Sequence, residues 1–513
     1  YGIRALNGKV LNSGEINMNV LLSGDLDSYG IYGDNATTVN NSGTITSVRK
    51  GTGIYTTSGS STNSGKITMN GRGSTGMASE SGAITNTDKG EITVISGTGI
   101  KSTSGQVINE GKVIITDGSA STGISSGSSV INSGSISITG ADSTGIAVEE
   151  NGTASNSGII TLTSNRNSTE NFGMVSAGGD RAQIENSGII TLNGYNYASS
   201  KEKGYGMSIG DGQAINNNMI TINQMYGYGM ASTTGTLTNN GDITLTNGGY
   251  GIKGESGESF NSEGGTIIIT GTPVLESSYG MAMEDGTAKN FGKIDVTGST
   301  TNDATYGIYV NGGNGINHNQ IDMRSDNAYG IFDAASGDGA ITNFAGAVIN
   351  LHGNNSTGMQ SSGNKAENYG TINIGVNNGG TVTGGVNGIG MTANDGTTAL
   401  NSGQINMNGA NAVGMFADGG TVINSADGVI TMNGNGGTIF KTSNDGTAIN
   451  LGDIVINAQD YNLFTTTDTD EGNFVNNGNV TVGTSGSQVI RVGDNSSVIN
   501  NKNIDLNGSN GFI

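Results

Sequence analysis

The sequence predicts an all-β protein, a right-handed parallel β-helix (β-solenoid) of about 20 coils of 22–33 residues, with loops projecting from one edge. Three observations predict it. A turn motif, Asn-x-Gly-x-Ile/Val, recurs along the whole chain. A second motif, Gly-Ile or Gly-Met, interleaves with the first at spacings near 23. After each Asn-Gly turn the chain alternates apolar and polar, the mark of a short strand with one buried face.

The turn motif opens at Asn12-Ser-Gly14-Glu-Ile16 and runs through Asn239-Asn-Gly241-Asp-Ile243 to Asn450-Leu-Gly452-Asp-Ile454. Thirteen copies are intact, and seven more keep the Asn and the apolar residue. Asn218 and Asn319 stand at the glycine place, which implies a left-handed turn residue, since Asn tolerates positive φ best after Gly. Lys502 stands there too and does not fit that account. Four copies carry extra residues, as in Asn86-Thr-Asp-Lys-Gly90. The repeated Asn is expected to stack as an amide ladder at one corner.

The second motif runs Gly30-Ile31, Gly53-Ile54, Gly76-Met77 and Gly99-Ile100, and continues through Gly330-Ile331. Strands such as Ile67-Thr68-Met69 and Ile243-Thr244-Leu245 place apolar residues at i and i+2; only Ser47 and Asn350 break that frame. At ~4.8 Å per coil, about 20 coils would form a rod on the order of 100 Å long. One continuous β-helix is expected over residues 1–513. Both ends fall on the same element, Tyr1-Gly2-Ile3 and Gly511-Phe512-Ile513, as in a fragment of a longer chain.

Composition agrees with a thin, regular core. The 513 residues include 91 Gly, 67 Asn, 1 Pro and no Cys or Trp, and both abundant residues are poor helix formers. The 42 acidic against 21 basic residues argue against nucleic acid and an anionic membrane surface as partners. Absence of Cys removes disulfides, thiolate catalysis and sulfur-ligated metals. No apolar run approaches the ~20 residues of a membrane helix. No cofactor is expected.

Repeats of the form Asn-Ser-Gly-x-Ile-Thr-Met-Asn-Gly followed by Ser-Thr-Gly-Ile/Met resemble the passenger regions of large fusobacterial type V (Va) autotransporter adhesins. The resemblance implies a β-helical passenger displayed on the outer membrane surface, with a barrel translocator elsewhere in the parent chain. It implies adhesion to a host-cell receptor or glycan, or to a partner bacterial surface. It names no binding residue, because the motif specifies the coil.

Functional candidates come from departures from the repeat. Insertions at about 19–28, 163–171, 193–204, 270–278, 297–305 and 374–388 share one place in the coil, before the Gly-Ile/Met strand. They would project along one edge as a binding surface, or be drift on a tolerant scaffold. In 193–204 and just beyond it, Tyr195, Tyr197, Lys201, Lys203 and Tyr205 are the ligand-binding candidates, aromatic faces and cations in an acidic protein.

Phe172, Tyr205, Tyr228, Tyr250, Tyr279, Tyr306 and Tyr329 each precede the Gly of the second motif. They would form either a sugar-stacking surface or a scaffold stack turned inward, and parity with the inward Ile or Met favours the second. Phe416, Phe440 and Phe464 are expected to point outward as an apolar stripe. For catalysis the best pair is Asp295 and Asp322, one coil apart with Lys293, His318 and Arg324 nearby; ~5 Å between them would suit a retaining glycosidase. No cleft accompanies the pair, and no enzyme is expected. With only His318 and His352 a zinc site is not expected, and calcium at Asp468-Thr-Asp470-Glu471 lacks the usual loop frame. A polysaccharide-active enzyme and a passive spacer are the alternatives to the adhesin.

Overall fold

The structure is a computed structural model that describes all residues except 19–27, 167–169, 195–201, 272–276, 299–303, 336, 338, 467–470, 484–489, 493–495 and 507–513. Every regular element among the described residues is a β-strand. The chain divides into two compact units, Tyr1–Asn247 and Gly248–Ile513. Together they hold about 18 turns of parallel β-solenoid.

Most coils contribute three strands, some of which run together, as in Lys66–Ser79 and Gly249–Asn261. In the first unit Tyr29–Gly33, Thr38–Asn41 and Thr44–Ser47 pair in parallel with Thr52–Thr56, Ser60–Asn63 and Lys66–Ser79. In the second, Thr305–Val310, Asn314–Asn317 and Gln320–Met323 pair with Ala328–Asp333, Ala340–Asn343 and Val348–Leu351. Register keeps like over like, so Ile31 lies on Ile54 and Ile45 on Ile67, all fully buried. Each such side chain contributes on the order of 2 kcal/mol by leaving water. The core is therefore columns of identical contacts.

The Asn ladder is present in both units. From Asn12 to Asn239, each Nδ2 donates to the Oδ1 of the next ladder Asn at 2.7–2.9 Å. The same holds from Asn261 to Asn500. In most rungs the second Nδ2 hydrogen reaches the carbonyl two residues on, as from Asn239 to Gly241 O at 2.9 Å. The ladder backbone is satisfied as well: the Ser42 and Gly43 amides both donate to Asn12 O. A buried amide without these partners would be costly.

One expectation about this turn is corrected. The motif glycines are not left-handed: Gly43, Gly65 and Gly241 have no positive φ. Close approach is what requires them. A Cβ on Gly241 would lie 2.0 Å from Asn218 O, and on Gly65 2.0 Å from Gly43 O. Asn218 and Asn319 avoid positive φ too; their side-chain amides donate to the coil beneath, on Ser187 O and Phe291 O at 3.1 and 3.0 Å. Nothing in the structure explains Lys502. Left-handed asparagines sit at other corners: Asn327, Asn355, Asn387 and Asn411, with φ of 53–56°, before the Gly-Ile/Met strand, and Asn35, Asn151 and Asn444 after it.

Longer turns close as ordinary four-residue turns, with the Gly90 amide on Thr87 O at 2.8 Å and Gly428 on Ser425 O at 2.9 Å. Ser47 is an inward hydroxyl, buried and donating to Arg49 O at 2.8 Å. Asn350 is no break in the frame: Ile349 and Leu351 are the buried pair, and Asn350 faces out. Of the expected insertions, only 374–388 lies wholly within the described residues. It leaves the coil after Thr371–Ile374 as an antiparallel hairpin, Val376–Asn378 with Thr381–Thr383, and rejoins at Ile389–Ala393.

Candidate functional site

Three of the five sequence candidates, Tyr195, Tyr197 and Lys201, lie outside the described residues. Lys203 and Tyr205 sit on the strand Lys203–Ile209, whose neighbour is Glu170–Ser176. Register places Lys203 over Glu170, with Nζ 3.6 Å from the carboxylate and both side chains about half exposed. At that exposure the pair is worth well under ~1 kcal/mol. Tyr205 is sandwiched between Phe172 and Tyr228 at centroid distances of 4.8 and 4.5 Å. Burial, with a smaller push from Glu170, raises its phenol pKa.

The aromatic ladder faces outward, contrary to the parity argument. Strand Lys203–Ile209 reads half-buried at Tyr205 but buried at both Gly206 and Met207. The glycine takes an inward corner where a Cβ would meet Gly229 O and the Ile220 side chain at 2.5 Å. Two consecutive inward residues shift the phase, and the Tyr before them turns out. In the second unit Tyr250, Tyr279, Tyr306 and Tyr329 stack at 4.5, 5.0 and 5.4 Å, within 12° of parallel. Tyr309 and Phe332 flank this stack edge-on, at 5.3 Å from Tyr306 and 4.9 Å from Tyr329. The rings cover one another's faces, so a sugar would meet mostly edges and hydroxyls.

Phe440 and Phe464 do not point outward. Both are fully buried, aligned with inward Met415 rather than with Phe416. The cause is local: Ile439 and Leu463 take the glycine place, and the Phe after each fills the Met place. Phe464 and Phe440 then pack on Phe474 at 4.9 and 5.4 Å. Of the expected stripe only Phe416 is partly exposed, beneath the Lys441 ammonium.

The carboxylates Asp295 and Asp322 do lie in register on adjoining strands. Lys293 Nζ stands 3.4 Å from both, and Arg324 binds Asp295 in a fork at 2.8 and 3.1 Å. Asp322, only 2% exposed, also accepts from Gln320 Nε2 at 2.7 Å and Asn350 Nδ2 at 2.8 Å, with His352 Nε2 at 3.7 Å. Burial alone would push its carboxyl up. The His352, Asn350 and Gln320 contacts and the Lys293 charge outweigh it and hold the group well below the usual carboxylate range. His318 lies on a different column, away from this cluster.

That other column was missed. The residue between ladder Asn and turn Gly faces solvent, and in the second unit it is Phe291, then His318, then Phe344. The His318 ring is sandwiched at 4.4 and 4.2 Å. Burial, with the Lys289 charge, lowers its pKa. Phe344 and the next residue of the column, Tyr369, are each 40% exposed. Reading the middle residue of every Asn-x-Gly copy would have found them. Among the described residues no group of three or more acidic or His side chains is placed to hold a metal; the calcium candidate lies mostly outside them.

Residues 3–181 match the family model of the BigA third pectate lyase-like domain, BigA being a large bacterial surface protein. No curated protein and no solved structure matches the chain. About a third of the sequence is thus similar to a pectate lyase-like β-helix domain of a large bacterial surface protein.

Proposed function

We propose that the chain is part of the extracellular passenger of a surface-displayed bacterial adhesin, of the type V autotransporter kind, that grips host-cell or bacterial-surface receptors along its inserted edge. The carrying observation is the corner itself: the described hairpin Val376–Thr383 leaves the scaffold there, with Val382 41% exposed. Similarity to a surface-protein β-helix domain supports display outside the cell. Tyr195, Tyr197 and Tyr205 would offer apolar contacts, and Lys201 and Lys203 would meet acidic groups on the receptor. Weak contacts suffice, because a tethered surface gains from effective concentration once the first is made.

A polysaccharide-cleaving role has less support. Lys293 pairs with both Asp295 and Asp322, and Arg324 forks onto Asp295, so the best carboxylate pair is already engaged in ion pairs. The test is to shorten 193–204 to the loop length of the 23-residue coils and measure adhesion to host cells and partner bacteria. A tenfold loss with an unchanged melting temperature is expected. Undiminished adhesion would favour the spacer.

A further inference from the structure

The turn column of the first unit contains a bounded groove of about 500 Å³. We infer that this groove, between Asp88 and Asn218, binds an extended glycan segment, neutral or amino-bearing. The inference rests on the adhesin reading and gives it a second contact surface, apart from the insertion corner.

The groove follows from the scaffold's own glycines. Gly111, Gly134, Gly158 and Gly188 form its floor in four successive coils. None can carry a side chain: a Cβ at Gly134, Gly158 or Gly188 would stand 1.9–2.1 Å from the preceding glycine's carbonyl oxygen. Serines 133, 157 and 187 form one wall. The other wall begins with polar Lys112 and Ser135 and becomes Ile159 and Ile189, stacked in register, a column that continues past the groove to Met219. Ile159 is 47% exposed, so the fold does not bury this apolar rail.

Both ends are closed by departures from the motif. At one end the two extra residues of the Thr87–Gly90 turn bring Asp88 to the rim beside Glu110 and Lys112. At the other, Asn218 replaces glycine and fills the floor, its amide on Ser187 O at 3.1 Å. From first to last floor glycine the span is about 14 Å at ~4.8 Å per coil.

The chemistry of the walls selects the occupant. A peptide bound by strand addition needs free backbone groups. Here the amides of Ser157, Gly158, Ile159, Ser187, Gly188 and Ile189 already donate to the coil beneath. What remains is an apolar rail for the CH faces of sugar rings, hydroxyls opposite, and carboxylates at one rim. Two acids against one Lys at that rim, in a chain of net charge −21, disfavour a polyanion.

The test uses the intact 513-residue chain on arrays of neutral, amino-bearing and acidic glycans and of extended peptides, with cell adhesion measured in parallel. Two variants are compared: I159S/I189S, which copies Ser135 of the same column, and S157F/S187F, which copies Phe291 and Phe344 and overhangs the floor. Binding to neutral or amino-bearing glycans is expected, with at least a tenfold loss in both variants at unchanged melting temperature. Glycan binding that both variants retain would overturn the groove. So would binding confined to acidic glycans or to peptides. Cell adhesion without any glycan binding would overturn the groove and leave the adhesin reading standing; absence of both would overturn the two together.

Discussion

The same place in the coil is built differently in the two units. Between ladder Asn and turn Gly, the first unit has Ser133, Ser157 and Ser187 beside a bare glycine floor. The second has Phe291, His318 and Phe344 stacked ring on ring. Yet the flanking Asn rungs are alike, fully buried and bonded at 2.7–2.9 Å in both. The difference shows which part of the repeat the fold constrains. Asn and Gly face the neighbouring coil, whereas the residue between them meets solvent and is open to other uses.

That contrast can be broken most sharply at the ladder. Asn186→Leu leaves the Asn156 amide and Asn216 oxygen without their principal partners, and should cost about 4 kcal/mol at ~1–3 per unpaired buried group. Ser187→Phe, one residue on, should change stability by less than ~0.5 kcal/mol. Urea unfolding of both variants checks the pair. Equal losses would erase the distinction between inner and outer positions.

The buried charge cluster should come next. Asp322→Ala removes one partner from Lys293 and Arg324 and should cost about 3 kcal/mol. Because the folded pKa of Asp322 is depressed, its contribution is full above the unfolded value of ~3.9 and is lost as pH falls below it. Unfolding curves between about pH 5 and 2 should therefore be less steep in pH for the variant than for the parent.

A smaller effect is expected at the turn glycines. Gly241→Ala meets Asn218 O and should cost about 2 kcal/mol, more than the ~1 kcal/mol expected of Gly346→Ala, at positive φ with nothing within 4 Å. Were positive φ the reason for glycine, the two variants would suffer alike. The smallest expected loss belongs to Phe344→Ser, which removes one ring from His318 and should cost under ~1 kcal/mol. Its clearer sign is the imidazole pKa, which should rise toward its ordinary value as the ring becomes solvated; an NMR titration reads it.

Much of the scaffold was legible because it repeats. Asn at a fixed phase, an apolar residue at i and i+2, and the 23-residue interval determine parallel strands, the amide ladder and stacked apolar columns. Repetition also misled at Phe440 and Phe464. There Ile439 and Leu463 replace glycine, the alignment slips by one residue, and an outward assignment becomes an inward one. Asn350 is the same error in small: counting from Val348 instead of Ile349 reversed the face.

The sequence by itself determined the periodic elements, because local alternation and turn spacing are read within a few residues. Tertiary structure alone decided why glycine is needed, which way the tyrosines point and where a groove forms. Each depends on atoms a whole coil away: Asn218 O beneath Gly241, Gly229 O above Gly206, and a glycine floor that exists only once four coils are stacked. Such contacts join residues about 23–30 apart in the chain, and a spacing pattern gives their order but not their distance.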